Sequence, residues 1–361
     1  MAAAIPLVHS RTDYNLVGPG AEKAVAAGLV SADWYRTPIP RKDLKALMQR
    51  KDGPAIRDTA LWFLGLVGFG ALAYHFWGTW WCVPFFLLYG VLYGSASDSR
   101  WHECGHGTAF KSPWMNDVVY NIACFMIMRE PTVWRWSHTK HHTDTIIVGS
   151  DPEIVLMRPP NMIKLFFGIF GLTNAYYFFQ KLARHAQAKL DPEEMTFVPE
   201  MERPRVYRTA RIYLALYAAI IVACFVTGSI LPAMFTILAT FYGAPLHVYF
   251  GVTQHVGLAE DVLDHRLNCR TVMMNPFFRF VYWNMNYHVE HHMFPMVPYH
   301  ALPALHEAMK ADCPPAYPST IAAYREILPT LARQLRDPGY FVKRELPPAA
   351  RPASAGATAA A

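Results

Sequence analysis

The sequence has few charged residues for its length. Asp, Glu, Lys and Arg make up 17% of the 361 residues, whereas hydrophobic residues make up 53%. A soluble domain of average composition carries about 25% charged residues, so this composition favours a membrane protein. The formal net charge is +6 and no basic run is interleaved with aromatic residues, so we expect no nucleic-acid partner.

Cysteine is also sparse, and no two of the six cysteines form a C-x-x-C pair. This absence excludes an iron–sulfur or thioredoxin-like site of the usual spacing, and the scattered positions predict no disulfide framework. The free thiols fit a catalytic side that faces a reducing cytoplasm. The N-terminus lacks the long apolar core of a cleavable signal peptide, so we expect none.

Two long stretches contain no charged residue at all. They are Thr59–Ser97, with 39 residues, and Ile212–Ala259, with 48 residues. A membrane helix needs about 20 apolar residues, so each stretch can hold two spans, with turns near Gly78 and Gly228. We predict an all-α membrane protein with four transmembrane helices in two hairpins and a cytoplasmic helical cap. A soluble all-α core is disfavoured, because buried soluble helices seldom stay charge-free over such lengths.

The distribution of charge predicts the orientation. All 33 Lys and Arg lie outside the two charge-free stretches. Positive-inside bias places both termini and the connection between the hairpins in the cytoplasm, and we expect a bacterial inner membrane. The predicted organisation is a cytoplasmic N-terminal segment (1–58), a first hairpin (59–97), a cytoplasmic region (98–211), a second hairpin (212–259), a cytoplasmic region (260–346) and a disordered tail (347–361).

Eight of the sixteen histidines fall into three clusters. The clusters are His102 and His106 in HxxxH, His138, His141 and His142 in HxxHH, and His288, His291 and His292 in a second HxxHH. Spacings of three and four residues place side chains on one helix face, so each cluster can aim its imidazoles at one point. Neutral imidazole binds iron, zinc, copper or nickel. A single histidine more often has a packing role, but three such clusters beside membrane spans predict a metal site.

Eight imidazoles exceed the needs of one zinc ion, which takes four ligands in structural sites and about three in catalytic sites. The sequence therefore predicts two metals, and ligands rich in histidine and poor in thiolate suit iron and oxygen chemistry. HECGH at 102–106 also satisfies the H-E-x-x-H pattern of zinc peptidases, in which Glu103 would be the base. That alternative leaves both HxxHH clusters unexplained, and Glu103 can instead support the ligands. A metal transporter or binding protein without redox chemistry is a further alternative. A transporter should carry ionisable residues within its spans, and here only His75 and His247 come close.

The three clusters must meet on one membrane face to share a site. This requirement bears on Ile163–Phe179, which is apolar but short. If it crossed the membrane, about 30 Å of hydrocarbon would separate the third cluster from the first two. We therefore predict that this segment lies in the interface.

The motifs HECGHGTAF, WSHTKHHTDT and HVEHHMFP resemble those of the membrane fatty acid desaturase and hydroxylase superfamily, and most closely its acyl-lipid desaturase branch. The resemblance covers about Asp58 to Met309. It implies a non-haem diiron centre held by nine ligands and no other catalytic side chain. The implied ligands are His102, His106, His138, His141, His142, His255, His288, His291 and His292. Some relatives place an asparagine four residues before the extra histidine, where this chain has Gly251, so the pattern is least complete at His255.

The resemblance implies O2-dependent introduction of a double bond into a fatty acyl chain. A diiron hydroxylase, other monooxygenase or demethylase acting on a hydrocarbon or small substrate stays open, because the position of the substrate carbon decides the product. Each turnover needs two external electrons, and no haem or cluster domain is evident in the sequence. A separate donor, such as a ferredoxin with its reductase, is therefore predicted. The cytoplasmic basic residues could dock an acidic donor or could serve only to orient the spans.

Overall fold

The computed structural model describes residues 12–348 and is helical throughout. Apart from its first two residues, the predicted disordered tail lies outside the described residues. The described part contains no β-strand, only two isolated bridges. The helices are α1 (Pro19–Ala26), α2 (Arg41–Leu47), α3 (Asp52–His75), α4 (Cys82–Gly90), α5 (Ala96–Gly105), α6 (Pro113–Met126), α7 (Pro131–Thr143), α8 (Met162–Ile169), α9 (Leu172–Ala186), α10 (Arg203–Thr227), α11 (Leu231–Met234), α12 (Ile237–His255), α13 (His265–Asn268), α14 (Pro276–Val281), α15 (His288–Met293), α16 (Leu302–Met309) and α17 (Thr320–Gln334).

Three helical segments are long and apolar enough to cross a membrane. They are Arg41–His75, Glu200–Thr227 and Leu231–His255. The pair α8 and α9, which bends by 88°, would make a fourth if it formed one span. An all-helical membrane protein with three or four candidate spans is therefore confirmed.

The arrangement in two hairpins stays a prediction. The second helix expected for the first hairpin lies in the helical run Cys82–Gly105. This run changes to a π-helix at Val91–Ser95 and is not among the three candidate membrane spans. Ile163–Phe179, which we predict to lie in the membrane interface, falls within the bent pair α8–α9.

Small residues allow a close approach between α12 and the π-helical turn that joins α4 to α5. A Cβ atom built on Gly94 would lie 2.6 Å from the carbonyl carbon of Gly243. The Ser95 hydroxyl donates to the Gly243 carbonyl at 2.6 Å and accepts the His247 N–H at 2.9 Å. The hydroxyl therefore bridges the Gly243 carbonyl and the His247 N–H, which would bond to each other directly in a regular α-helix. This contact ties α12, which ends at His255, to the helix that carries the first histidine cluster.

A buried arginine joins the histidine-bearing helix α5 to α14. The guanidinium of Arg100 donates to the Val281 carbonyl at 2.7 Å. Its Cζ lies 5.5 Å from the ring centroid of Trp62 and 4.8 Å from that of Trp283. Because all three residues are almost completely buried, this packing fixes α5 between the first candidate span and the C-terminal region.

Proline and a capping carboxylate fix the start of α7, which carries the second histidine cluster. The Glu130 side chain accepts the Val133 N–H at 2.6 Å, and Pro131 occupies the first turn. Carboxylates satisfy free N–H groups at helix starts, and proline has no N–H that would need a partner there. The second cluster therefore lies on a helix with a defined first residue.

Candidate metal centre

Four helices bring all nine predicted ligands to one place. The first cluster ends α5, the second lies at the end of α7, the third forms most of α15, and His255 ends α12. Within each cluster the spacing of three or four residues directs the rings to a common side, as the sequence predicts. Most of these rings are buried; His291, for example, has no exposed surface.

Five of the nine histidines form a first group in which the ligand nitrogens lie within 4.8 Å of one another. The members are His102, His106, His138, His142 and His291. The Nε2 atoms of His102 and His291 are 2.7 Å apart, and those of His142 and His291 are 3.1 Å apart. The His138 Nε2 lies 3.1 Å from that of His102 and 3.1 Å from that of His106. All three sequence clusters contribute to this group.

The other four histidines form a second group. Ligand nitrogens of His141, His255 and His292 lie within 4.8 Å of one another. The Nε2 of His288 lies 2.9 Å from that of His255 and 3.0 Å from that of His292. His255 therefore joins the second and third clusters, although this chain has Gly251 at the position of the expected asparagine.

Buried carboxylates hold one ring of each group from behind. The Nδ1–H of His138 donates to Glu153 Oε2 at 3.0 Å, and Ser137 donates to the other oxygen of that carboxylate at 2.8 Å. In the second group, the His141 Nδ1 lies 2.8 Å from Asp151 Oδ2. A carboxylate at Nδ1 fixes the ring and leaves the Nε2 lone pair directed at the group.

Two further rings of the second group have neutral partners. The His255 Nδ1 lies 2.8 Å from the Asn268 carbonyl oxygen, which can only accept, so Nδ1 carries the proton and Nε2 presents a lone pair. The His292 Nδ1 lies 3.1 Å from the Thr145 hydroxyl. These contacts orient both rings toward the same centre.

The surroundings keep most of the imidazoles neutral. Burial, followed by the neighbouring imidazoles, lowers the pKa of most rings well below its ordinary value. These rings are His102, His138, His142, His288, His291 and His292. Burial likewise lowers the pKa of His106 to about 4. Burial also opposes charge on His141, but the Asp151 carboxylate outweighs it and the pKa of His141 is raised.

The donor set fits metal ions. Lone pairs of neutral imidazoles approach one another at 2.7–3.2 Å in buried surroundings. Nitrogen lone pairs repel at such distances unless a proton or a cation lies between them, and a set of five and a set of four nitrogens offers more lone pairs than bridging protons can satisfy. Histidine-only ligand sets suit iron, zinc, copper and nickel, and the nine predicted ligands fall into two such groups, as two metals would need. Ligand atoms of His292, His265 and Cys269 also lie within 4.8 Å of one another.

The position of Glu103 argues against the zinc-peptidase alternative. Its side chain is fully buried, accepts the Tyr299 N–H at 3.1 Å and lies 3.4 Å from the His291 Nδ1. A peptidase base must instead face the metal-bound water. Glu103 therefore lies behind the His291 ring, and its support of the ligands stays a prediction.

Several supporting residues were missed in the sequence. Asp151 and Glu153 follow the second cluster by about ten residues, and the need for carboxylates behind metal-binding histidines was a signal that could have pointed to them. His265 lies outside the three sequence clusters, yet it is buried and its ring centroid lies 5.2 Å from that of His292. His306, which also lies outside the clusters, has its Nδ1 2.5 Å from a Glu290 oxygen.

A cavity of about 1670 Å³ reaches both groups from the side of α8 and α9. Its walls include rings of both groups together with Gly251, and it also contains an ion pair between Asp98 and Arg129 at 2.9 Å. His247, from α12, lines the same cavity. A substrate of considerable length can therefore approach the histidines.

The fold and the histidine groups define a class, a helical membrane protein with a buried site that could hold metal ions. The chain belongs to the fatty acid desaturase family, whose model, described as "Fatty acid desaturase", matches residues 78–324. This membership confirms the resemblance drawn from the histidine motifs.

The similar proteins are acyl-lipid desaturases. The chain is 23% identical over 285 residues to "Temperature-sensitive sn-2 acyl-lipid omega-3 desaturase (ferredoxin), chloroplastic" of Arabidopsis thaliana, covering 71% of this chain and 61% of that protein. It is 29% identical over 116 residues to "sn-1 oleoyl-lipid 12-desaturase" of Synechocystis, covering 29% and 33%. It is 34% identical over 100 residues to "sn-1 acyl-lipid omega-3 desaturase (ferredoxin)" of Synechocystis, covering 27% of each. Each match spans less than two thirds of the relative's length.

Proposed function

We propose that this protein is a membrane-bound non-haem diiron oxidoreductase that uses O2 to introduce a double bond into a fatty acyl chain. The observation that carries this proposal is the convergence of nine histidines into a group of five and a group of four. Family membership supports the same chemistry. The overall reaction balances when one O2, two electrons and two protons convert –CH2–CH2– into –CH=CH– and two water molecules.

Iron is the metal that fits this proposal, and its ligands would be the nine histidines. When bound, two ferrous ions would supply electrons and Lewis acidity for the reduction of O2. The chain itself holds the imidazoles in place through Glu153, Asp151 and the Asn268 carbonyl, and burial keeps most of them neutral. Preorganised ligands of this kind leave little freedom for the metals to move.

The exposed apolar side chains of the bent pair α8–α9 support the proposal of a lipid substrate. Ile163, Phe166 and Tyr176 expose 74%, 57% and 61% of their surface on this pair. Lys164 and Tyr177, from the same helices, line the cavity that reaches the histidines. We infer that the exposed side lies in the membrane interface and that the acyl chain enters the cavity beside it.

The electrons would come from a separate protein. Two of the relatives carry "(ferredoxin)" in their names, and we propose a donor of this kind, with its reductase, for this chain. We also propose that the termini and the metal site lie on the cytoplasmic side. Thiol labelling of Lys140→Cys and Lys310→Cys variants with an impermeant reagent would test the topology, and labelling from opposite sides would contradict it.

Mass spectrometry of lipids from an expressing host tests the activity. We expect acyl chains that have lost two hydrogens in cells with the wild-type protein, and no change in cells with the His141→Ala variant. A gain of one oxygen would identify a hydroxylase instead. An iron-loaded wild-type protein that alters no lipid would refute the acyl-chain proposal and point to a small hydrocarbon substrate.

A further inference from the structure

We propose that Trp34 and His265 form the route by which electrons reach the histidine groups, and that an acidic one-electron donor docks over Trp34. This inference rests on the proposed function, because only a redox reaction needs such a route. Residues 31–37, which we call the strap, bind the chain just after α7 at Asp144 and the chain just before α13 at Leu263. The family match begins at residue 78, so the strap lies outside it.

The rings along this route are in contact. Trp34 stacks on His265 with ring centroids 4.2 Å apart and an angle of 3° between the planes. The centroid of His265 lies 5.2 Å from that of His292, a member of the second group. His265 is only 3% exposed, whereas Trp34 is partly exposed. The stack therefore connects the protein surface to a predicted ligand through two rings.

Trp34 also has a connection to the first group. Its indole N–H donates to the Thr143 carbonyl at 2.8 Å, and Thr143 follows His142 directly in the chain. One surface residue is thus linked to both groups, by ring contact on one side and by a hydrogen bond on the other. If two electrons arrive one at a time for two metals, a surface residue linked to both histidine groups could serve both metals.

Hydrogen bonds hold the strap at both ends, and they fix the position of Trp34 against His265. The Ser31 N–H donates to Asp144 at 2.8 Å. The Tyr35 N–H donates to the Leu263 carbonyl at 3.0 Å, and the hydroxyls of Tyr35 and Thr37 donate to Asp312 at 2.8 Å and 2.6 Å. These bonds tie Trp34 to the loops and helices that surround the third cluster.

The chain that contains Trp34 and continues through α2 is basic. Between residues 33 and 52 there are six Lys and Arg but only three Asp. The exposed cations include Arg36, Arg41, Lys42, Lys45 and Lys51. An acidic donor would be attracted and oriented by these cations, which raises the rate of productive encounter. The same charges would also be present if they served only to orient the first membrane span. That alternative does not account for the stacked rings of Trp34 and His265.

The electron count is simple. Each docked donor is oxidised by one electron and one metal ion is reduced by one electron, so two encounters serve one turnover. Trp34 and His265 undergo no net change. Trp34 is therefore a positioning residue for electron transfer and touches neither substrate nor metal.

The test uses full-length iron-loaded protein in detergent and a reduced acidic [2Fe–2S] ferredoxin as the probe. Reoxidation of the ferredoxin is followed anaerobically by stopped-flow absorbance, its binding by titration, and the iron content by elemental analysis. Dithionite, a small reductant that needs no docking, provides a parallel measurement. Trp114→Leu, which removes another exposed tryptophan, is the matched control for Trp34→Leu.

We expect Trp34→Leu to slow ferredoxin reoxidation severalfold while dithionite reduction, ferredoxin affinity and iron content stay as in the wild type. The pair Arg41→Glu and Lys45→Glu should weaken binding by about tenfold, whereas the pair Arg325→Glu and Lys343→Glu should not. Unchanged reoxidation in Trp34→Leu, equal slowing with dithionite, or equal effects of both charge pairs would overturn the inference. A wild-type protein that holds no iron, or whose iron dithionite cannot reduce, would instead refute the proposed function.

Discussion

The carboxylate of Glu103 lies 3.4 Å from Nδ1 of His291, behind a ring whose Nε2 lies 2.7 Å from that of His102. The glutamate that makes HECGH look like a peptidase motif thus lies behind a predicted ligand, on the side remote from the Nε2 atoms. Burial raises the pKa of the Glu103 carboxyl to about 8. The hydrogen bonds from the Tyr299 N–H and the Thr108 hydroxyl offset this effect only in part, so a nearby cation is needed to keep the carboxyl charged at neutral pH.

Substitution of Glu103 separates the two interpretations. We expect Glu103→Gln to keep most of the iron and the activity, because an amide can still accept the Tyr299 N–H. Glu103→Ala should lower iron affinity by about 10–100-fold, as is typical when the partner of a ligating histidine is removed. Iron titration and lipid analysis of both variants provide the measurements. Full metal binding with complete loss of activity in Glu103→Gln would favour a role as base.

Removal of Glu153 should weaken metal binding through His138. Its carboxylate holds the His138 Nδ1 at 3.0 Å and the Ser137 hydroxyl at 2.8 Å. We expect Glu153→Ala to reduce iron affinity by about 10–100-fold, with partial recovery in Glu153→Gln. Glu200→Ala, at an exposed position, is the control in the same titration. Equal affinities for Glu153→Ala and the control would show that this carboxylate does not support the site.

The metal content of histidine variants should report the division into two groups. His255→Ala removes one of four nitrogens from the second group, so iron should fall from two toward one per chain. His75→Ala, which removes an exposed histidine remote from the clusters in sequence, should retain two. Elemental analysis of the purified proteins measures both. Two irons per chain in His255→Ala would remove His255 from the ligand set.

The sequence predicted the histidine clusters well, because spacings of three and four residues act within one helix. It could not predict how the clusters divide. His141 and His142 are neighbours, yet they belong to different groups, and the same is true of His291 and His292. Successive residues on a helix differ in direction by about 100°, so the packing of α7 against α15 decides which ring meets which group.

Membrane topology was predictable only in outline. Absence of charge located the apolar stretches, but composition does not report a local change of helix type. The π-helical turn at Val91–Ser95 and the 88° bend between α8 and α9 depend on contacts with distant residues, such as that of Ser95 with Gly243. The role of His265 likewise depends on the strap, which is more than 200 residues away in the sequence.

This chain has Gly251 where some members of the resembled superfamily have an asparagine, and substitution of this glycine tests the effect of the difference. Gly251 lies one helical turn before His255, lines the cavity, and a Cβ there would meet nothing within 4 Å. Gly251→Asn should therefore fold, and its amide should slow the loss of iron to a chelator by adding a polar contact beside the second group. Gly251→Ala is the control, because it adds the Cβ without the amide. Equal slowing in both variants would attribute the effect to helix propensity alone.

Helix packing provides the last prediction. A Cβ on Gly94 would lie 2.6 Å from the Gly243 carbonyl carbon, a backbone atom that cannot move without shifting α12. Gly94→Ala should therefore destabilise the protein by about 1–3 kcal/mol and displace His255 from the other ligands, since α12 ends there. Gly68→Ala, in α3, meets nothing within 4 Å and should be neutral or more stable by up to about 1 kcal/mol. Thermal unfolding in detergent and iron content are the measurements. Because both changes replace a helical glycine by alanine, helix propensity acts in the same direction in both variants. Equal stability of the two would show that α12 does not pack against the π-helical turn as described.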